Sequence, residues 1–532
     1  MAPLSDTYAI EGDTPHYPEA LKKVITTRHF ILMALGSSIG AGLLVSTGQA
    51  LSVSGPAPLL IAYLFLGFAV WITMCNLGEL ATNYPVGGSF YEFSVRFISP
   101  AWGFAMGWNY LLNFIFILPF EIIVMVMLAR YWNPDLNAAY LTPIFIAALM
   151  FIHLFRANWY AEAENVFGVM KMTVLSIFIM TSLFILVRSI PLDYRSPSDL
   201  GYDDWQHHPF KNGPYGFLFA FMSAGMAYGG TEMLGFTAAE CQNPRRVMRL
   251  ASKLVAFRIG LWYLLSILML GLVLKIEEIS SEHNLISPFV VAISKAKIPV
   301  LPDIMNAIII VSIFSMANAA IFASSRALRA ISSRGMGPKF CTKVYKGRPI
   351  GSLVVVFLFS FLSFLKAAPN GDQMFTWFLA LASCSNYLTW GSICVCQIRC
   401  RLAARQQNRV SNNPETYRSP LGITGSCLAV SIFLFGLIAQ IAAAAKSPLP
   451  NPPPVLSSCL GLIVALLTWG AYTLRKREWQ LIIPLKKIDL GQKREGRFVL
   501  SVIGEEEEDE ERDAEKGVSD KTVKDRVEQG RL

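Results

Sequence analysis

Twelve apolar runs, most of them close to the roughly twenty residues a helix needs to cross hydrocarbon, recur along this chain of 532 residues. They occupy 30–51, 59–80, 103–128, 141–155, 166–187, 217–239, 254–274, 304–327, 352–365, 375–398, 423–445 and 456–474, the fourth and ninth being short. In lipid every backbone polar group must be satisfied within the protein, so such runs are read as helices; a barrel would show short alternating segments instead. Charged residues make up only 16% of the chain, against about 25% in soluble proteins, and they gather between the runs. A compact soluble enzyme, a disordered chain, a secreted scaffold and a coiled coil are thereby excluded. The expectation is an all-α integral membrane protein with 12 transmembrane helices.

Lysine and arginine set the orientation. Lys22, Lys23 and Arg28, then Arg245, Arg246, Arg249 and Lys253, then the clusters from Arg326 to Arg348 and from Arg399 to Arg418, all fall on one side. The positive-inside rule places that side, and with it both termini, in the cytoplasm. Bases lying in loops between spans also argue for a membrane rather than a nucleic-acid partner. Residues 1–28 are polar and carry no cleavable apolar core, so the first span is expected to direct insertion. The transporter domain is expected over 29–478 and an acidic, disordered cytoplasmic tail over 479–532. Residues 505–532 hold twelve acidic and six basic residues, with an unbroken acidic run at 505–511.

Nine cysteines follow no disulfide spacing, and Cys75, Cys384, Cys394, Cys427 and Cys459 lie inside apolar runs. The cluster Cys394-x-Cys-x3-Cys400 lacks a nearby histidine and paired zinc spacing, so no metal or other cofactor is expected; lipidation of Cys400 is the alternative.

Two spans are interrupted by glycine. Span one contains Gly36-Ser-Ser-Ile-Gly40-Ala-Gly42, and span six contains Gly225-Met-Ala-Tyr-Gly229-Gly230-Thr-Glu232. Matched interruptions in two halves of a membrane protein point to an inverted-repeat transporter with its substrate at the midplane. Unwinding frees backbone groups, which must then face protein, water or ligand. Freed N–H groups suit a carboxylate and freed carbonyls an ammonium, the two ends of an α-amino acid. Close helix packing through small residues is the competing explanation.

Ionisable groups in the spans cost at least about 2.5–3.5 kcal/mol each at the bilayer centre, so each needs a partner or a role. Glu232 follows the second glycine pair, where a carboxyl can take up and release a proton or cap freed N–H groups. Lys171, in span five, either stands where a cation would bridge the broken helix and its neighbour or snorkels to the interface. Glu121 lies mid-span with no local base and joins these two as a proton-coupling candidate. Glu79 and Arg258 read as structural residues near span ends, and Glu162 and Glu164 as solvated residues ahead of span five. Asn109, Asn113 and Asn318 are polar candidates without assigned partners. No phosphate loop is present, so ATP is not the expected energy source.

Several ordered stretches resemble the fungal amino acid permeases (the yeast amino acid transporter family) of the amino acid–polyamine–organocation superfamily. They include Arg28-His-Phe with Gly36 to Gly48, Gly78-Glu-Leu-Ala-Thr with Tyr84-Pro85, Phe97-Ile-Ser-Pro100, and Ala161-Glu-Ala-Glu164 leading to Lys171. Further on come Thr231-Glu232, Asn243-Pro-Arg245, Ala317 to Arg326, Lys346-Gly-Arg-Pro349, Leu388-Thr-Trp-Gly391, Tyr417-Arg-Ser-Pro420 and Lys487-Ile-Asp-Leu-Gly491. The resemblance runs from about Leu21 to Arg497.

It implies a LeuT-like fold: 5+5 inverted repeats at about 29–190 and 214–400, then two C-terminal helices at about 421–474. It implies secondary active amino acid transport, not catalysis, coupled to protons by alternating access, in a fungal plasma membrane. By position, Ile39, Gly40, Ala41 and Gly42 would offer N–H groups to the carboxylate. Ser38 and Gly229, beside Gly230, would offer carbonyls to the ammonium, and Met226 would approach the side chain. Lys171 and Glu232 would match the family's coupling residues. Lys22, Lys23 and the 505–511 run would serve ubiquitin or adaptor machinery. Two departures stand out. Ala41 replaces a hydroxyl residue common in relatives, and the ending Gln529-Gly-Arg-Leu532 lacks their aromatic-cysteine pair. The alternatives are an organic cation or polyamine permease of the same superfamily and a non-transporting amino acid sensor; the short segment before span one argues against the sensor.

Overall fold

A computed structural model describes residues 26–490, apart from 85–88, 155–156, 190–199, 240, 242–243, 282–286, 334, 346–347, 368–370, 409–416, 447–454 and 478. Among the described residues all regular elements are helical. The first span is three pieces, α1 (Thr27–Gly36), α2 (Ala41–Leu44) and α3 (Ser46–Ser54), followed by α4 (Pro56–Asn83). An amphipathic α5 (Ser89–Phe97) leads into α6 (Pro100–Ala129), α7 (Ala138–Leu154) and α8 (Ala157–Ser189). After a short α9 (Tyr202–His207), the sixth span is α10 (Gly213–Ala227), a 3-10 turn at Thr231–Met233 and α11 (Leu234–Ala239). Next come α12 (Pro244–Arg258), a π-helical turn at Ile259–Leu264 and α13 (Leu265–Val273). The chain continues through α14 (Ile276–Ser281), α15 (Pro288–Ser294), α16 (Leu301–Ser333), α17 (Ile350–Ser360), α18 (Gly371–Gln406), α19 (Gly422–Ala445) and α20 (Val455–Lys476).

Local sequence starts these helices. Thr26 and His29 form a reciprocal capping box at α1. Ser99 caps α6 by accepting from the Trp102 N–H, with Pro100 in the first turn, and Ser287 with Pro288 does the same for α15. All twelve apolar runs fall on helices or broken helices. Among the described residues, eight helices are long and apolar enough to cross a membrane, or nine when the pair Thr27–Leu44 and Ser46–Ser54, bent by 54°, is one span. Ala138–His153 and Ile350–Leu365 are shorter apolar helices, and the sixth run is divided at its break.

The molecule is apolar outside and polar in places within. Leu64, Phe65 and Phe68 on α4, Met180, Leu183 and Phe184 on α8, and Leu466 and Leu467 on α20 are exposed, as lipid-facing side chains are. Glu121, Glu164, Lys171, Glu232 and Arg258 are buried. Helix α1 packs on α8, as α10 packs on α18, and α6 runs along α16. These pairings are the ones that the expected repeats at about 29–190 and 214–400 call for.

On the side read as cytoplasmic, Glu79 at the end of α4 accepts both forks of Arg401 at 2.8 and 2.6 Å and the Ser419 N–H at 2.7 Å. That structural role matches the sequence reading. Cys394, Cys396 and Cys400 are all buried, Cys394 against Thr73 and Asn76 and Cys400 against Tyr84, so the Cys400 thiol is not on the surface. Among the described residues no group of three His, Cys, Asp or Glu is placed to hold a metal. The compact unit ends at Ile488, ten residues beyond the expected domain boundary at 478. Residues 483–488 form a strap against it. The Ile483 N–H donates to the Ile98 carbonyl at 2.8 Å, Arg399 donates to the carbonyls of Phe97 and Ile483, and Gln407 donates to those of Leu485 and Ile488, each at 2.9 Å. The acidic tail at 505–532 and Lys22 and Lys23 lie outside the described residues.

Candidate substrate site

Both glycine motifs interrupt their helices. In the first span helix stops at Gly36 and resumes at Ala41; the 54° bend comes later, at Val45. In the sixth, helix stops at Ala227 and resumes as a 3-10 turn at Thr231, with Gly230 at φ +89°, a conformation that favours glycine. The two interruptions touch. A Cβ on Gly42 would sit 2.9 Å from the Ala227 Cα and 3.0 Å from the Met226 carbonyl carbon. Gly36 is equally tight, its Cβ position lying 2.8 Å from the Gly168 Cα on α8. The glycines therefore do both things the sequence allowed: they let the helix unwind and they let backbones approach. Residues 36–44 and 219–235 are all buried, so the site is closed.

Freed backbone groups find protein partners in this closed state. The Ala41 N–H, expected to meet a substrate carboxylate, donates instead to Glu121 Oε2 at 3.2 Å. Glu121 Oε1 is buried without a hydrogen-bond partner. Glu121 sits in α6 two residues after Pro119, whose ring removes one helical hydrogen bond and loosens the turn. The Ser38 carbonyl, expected to meet an ammonium, lies 3.1 Å from the Tyr263 hydroxyl, which is also 3.2 Å from the Ala227 carbonyl. The ring of Tyr263 stacks on Tyr228 with centroids 4.8 Å apart. The Ile39 N–H donates back to Gly36. Met226 is buried at the interface of the breaks, and its carbonyl accepts from the Gly229 N–H at 3.0 Å.

The coupling candidates surround these breaks. Lys171 is fully buried and donates to the Gly36 carbonyl at 3.1 Å, so it does not snorkel. A cation there also complements the C-terminal end of α1. Glu232 Oε2 accepts from Trp390 Nε1 at 2.8 Å, and Oε1 is buried with no partner. Asn113 donates to Asn386 Oδ1 at 2.8 Å, and Asn386 donates to the Gly225 carbonyl at 3.1 Å, tying α6 and α18 to the end of α10. Asn109 donates to the Ser385 carbonyl at 3.2 Å.

Two sequence readings are corrected. Glu162 is exposed and bonded to His29 at 2.9 Å, but Glu164 is not solvated. It is buried, and its carboxylate accepts from Ser315 at 3.0 and 3.1 Å and from Asn318 at 3.0 Å. Arg258 is not at a span end. Helix begins at Pro244 and runs through the π turn to Val273, which leaves Arg258 in the interior at 0% exposure. Its Nη1 donates to the Ala34 carbonyl at 2.9 Å and its Nη2 to Thr231 Oγ1 at 2.6 Å. Three carboxylates and two cations thus lie around the breaks, and among the described residues these five form no direct ion pair with one another. Sequence reasoning also passed over Tyr263 and Asn386, which carry no motif of their own, and it assigned no role to Trp390 within the stretch Leu388-Thr-Trp-Gly391. For Glu164 a signal existed: it stands seven residues, two helical turns, from Lys171 and so on the same face.

A model of the amino acid permease family matches residues 29–483. Cationic amino acid transporter 1 of Schizosaccharomyces pombe is 36% identical over 430 residues, 79% of this chain and 73% of that one. General amino-acid permease GAP2 of Candida albicans is 34% identical over 497 residues, 92% of this chain and 83% of its own length. Among solved structures the chain is similar to Mhp1, a nucleobase-cation-symport-1 family transporter in a closed conformation with bromovinylhydantoin bound. The TM-score is 0.50 at 15% identity, covering 91% of this chain and 98% of that one. That likeness concerns the fold, the LeuT-like arrangement that the family resemblance implies. The protein is an integral membrane transporter and not an enzyme, and the chain belongs to the amino acid permease family.

Proposed function

We propose that the protein takes up amino acids together with protons by alternating access through twelve spans, with both termini in the cytoplasm. The carrying observation is the bond from the Ala41 N–H to Glu121 Oε2. With the site closed, an internal carboxylate holds a backbone group that a substrate carboxylate is suited to hold. Two anions cannot share that N–H without repulsion, so substrate binding favours a protonated Glu121, and a proton on Glu121 frees the N–H. Proton and substrate then bind together, the condition for symport. Glu232, with one oxygen unpartnered beside the second break, is the second proton-exchanging carboxyl. Lys171, on the Gly36 carbonyl, holds the end of α1 in place of a bridging metal cation. Ser38, Gly40, Gly42 and Met226 line the substrate, with Gly229 and Gly230 across from them.

The test is uptake of labelled amino acids into proteoliposomes with an imposed inward proton gradient. Wild-type protein accumulates substrate only when the gradient is present. Glu121→Gln and Glu232→Gln lose gradient-driven accumulation, and Glu121→Gln keeps downhill exchange. Gradient-driven accumulation by Glu121→Gln at the wild-type level would overturn the coupling scheme. Competition by polyamines but not by amino acids would overturn the substrate class.

A further inference from the structure

We infer that Arg258 is the pin that makes the two broken helices move as one body during transport. This is a positioning role, distinct from substrate contact, and it rests on the transport reading above. Its two directed bonds end on different broken helices. Ala34 lies in the last turn of α1, just before the first break, and Thr231 is the first helical residue after the second. Thr231 passes the restraint on, because its hydroxyl donates to the Tyr228 carbonyl at 2.8 Å, inside the break itself. One guanidinium therefore fixes the end of one half-helix and the restart of the other.

The surroundings favour this role over a generic buried charge. A guanidinium removed from water is costly unless its hydrogen bonds are well made, and here the acceptors are a helix-end carbonyl and a hydroxyl, without a carboxylate. The negative end of the α1 dipole supplies part of the compensation. The π turn that starts at the next residue turns Tyr263 toward Arg258, whose Cζ lies 5.6 Å from the Tyr263 ring centroid. Such turns are uncommon and recur at functional sites. Tyr263 in turn sits between the Ser38 and Ala227 carbonyls. Two adjacent side chains of one helix thus span both breaks. Both Arg258 bonds are directed at protein acceptors, and its Nε is buried without a partner.

A planar fork can serve two acceptors on separate helices, whereas a lysine offers one compact ammonium. Arg258→Lys therefore keeps the charge and loses the tie, and Thr231→Val removes the second acceptor at nearly constant shape. Vmax per protein copy and KM would be measured in proteoliposomes, alongside amide hydrogen exchange in peptides covering Thr27–Gly36 and Leu234–Ala239. Each variant should lower Vmax per copy about tenfold or more, the scale of one hydrogen bond to a charged group, with KM changed little. The double variant should be no worse than the worse single one, since both remove the same tie. Exchange should rise in both peptides together. A merely structural residue would reduce the number of folded copies and leave Vmax per copy unchanged. Full rescue by Arg258→Lys, additive losses, or exchange rising in one peptide alone would each overturn the proposal. Absence of wild-type uptake would remove the transport reading, while the exchange data would still judge the tie.

Discussion

Glu164 and Glu162 stand two positions apart on α8 and have opposite fates. Glu162 is solvated, and Glu164 is the acceptor for Ser315 and Asn318 on α16. Replacing Glu164 with Leu would leave two buried donors without an acceptor, and each such orphan costs about 1–3 kcal/mol. The unfolding temperature of purified Glu164→Leu should fall by several degrees. Glu162→Gln should change stability by less than about 0.5 kcal/mol, as exposed substitutions do. An unchanged melt for Glu164→Leu would mean that the bonds to Ser315 and Asn318 contribute nothing. At this scale the sequence was only half legible. Residue type showed that Lys171, Glu121 and Glu232 need partners in a membrane, and it named neither the partners nor the depth. Arg258 and Glu164 were misplaced because apolar runs under-report helix length. Exposed polar residues such as Arg249 and Lys253 lead α12 into the bundle, and the run alone suggests that Arg258 sits near an edge when it is in the interior.

Among elements, the broken helices were the most legible feature, since glycine clustering has few explanations in lipid. The structure adds that unwinding and close approach happen at the same residues. Gly42→Ala places a methyl carbon 2.9 Å from the Ala227 Cα, a backbone atom that cannot swing aside. It should abolish uptake while leaving the protein at the membrane. Gly260→Ala, in the π turn with nothing within 4 Å of the added carbon, should transport normally. Equal activity of the two variants in a cell uptake assay would show that the breaks need not stay in contact. Sequence periodicity gives no warning of the π turn, because residues 259–273 are apolar almost throughout and an inserted residue leaves no visible break in the pattern. The backbone groups proposed to meet an anion and a cation are held in the closed state by Glu121, on Ala41, and by Tyr263, on Ser38. Those contacts join residues far apart in the chain, and no local pattern encodes them.

For the whole molecule, the apolar runs and the lysine and arginine distribution define a membrane-spanning body. What they leave out is how that body ends. The unit continues past the last span to Ile488, held by Arg399, Gln407 and the Ile98 carbonyl. Truncation after Leu490 should leave the melting temperature of the purified protein unchanged, whereas truncation after Arg477 should lower it. Equal melting of the two truncations would show the strap to be dispensable. The strap also sets where mechanical load arrives. Whatever grips the acidic tail pulls first on the stitches at Gln407, just past the end of α18, and then on those at Ile98 and Arg399. The final two helices feel that tug only after those stitches give way.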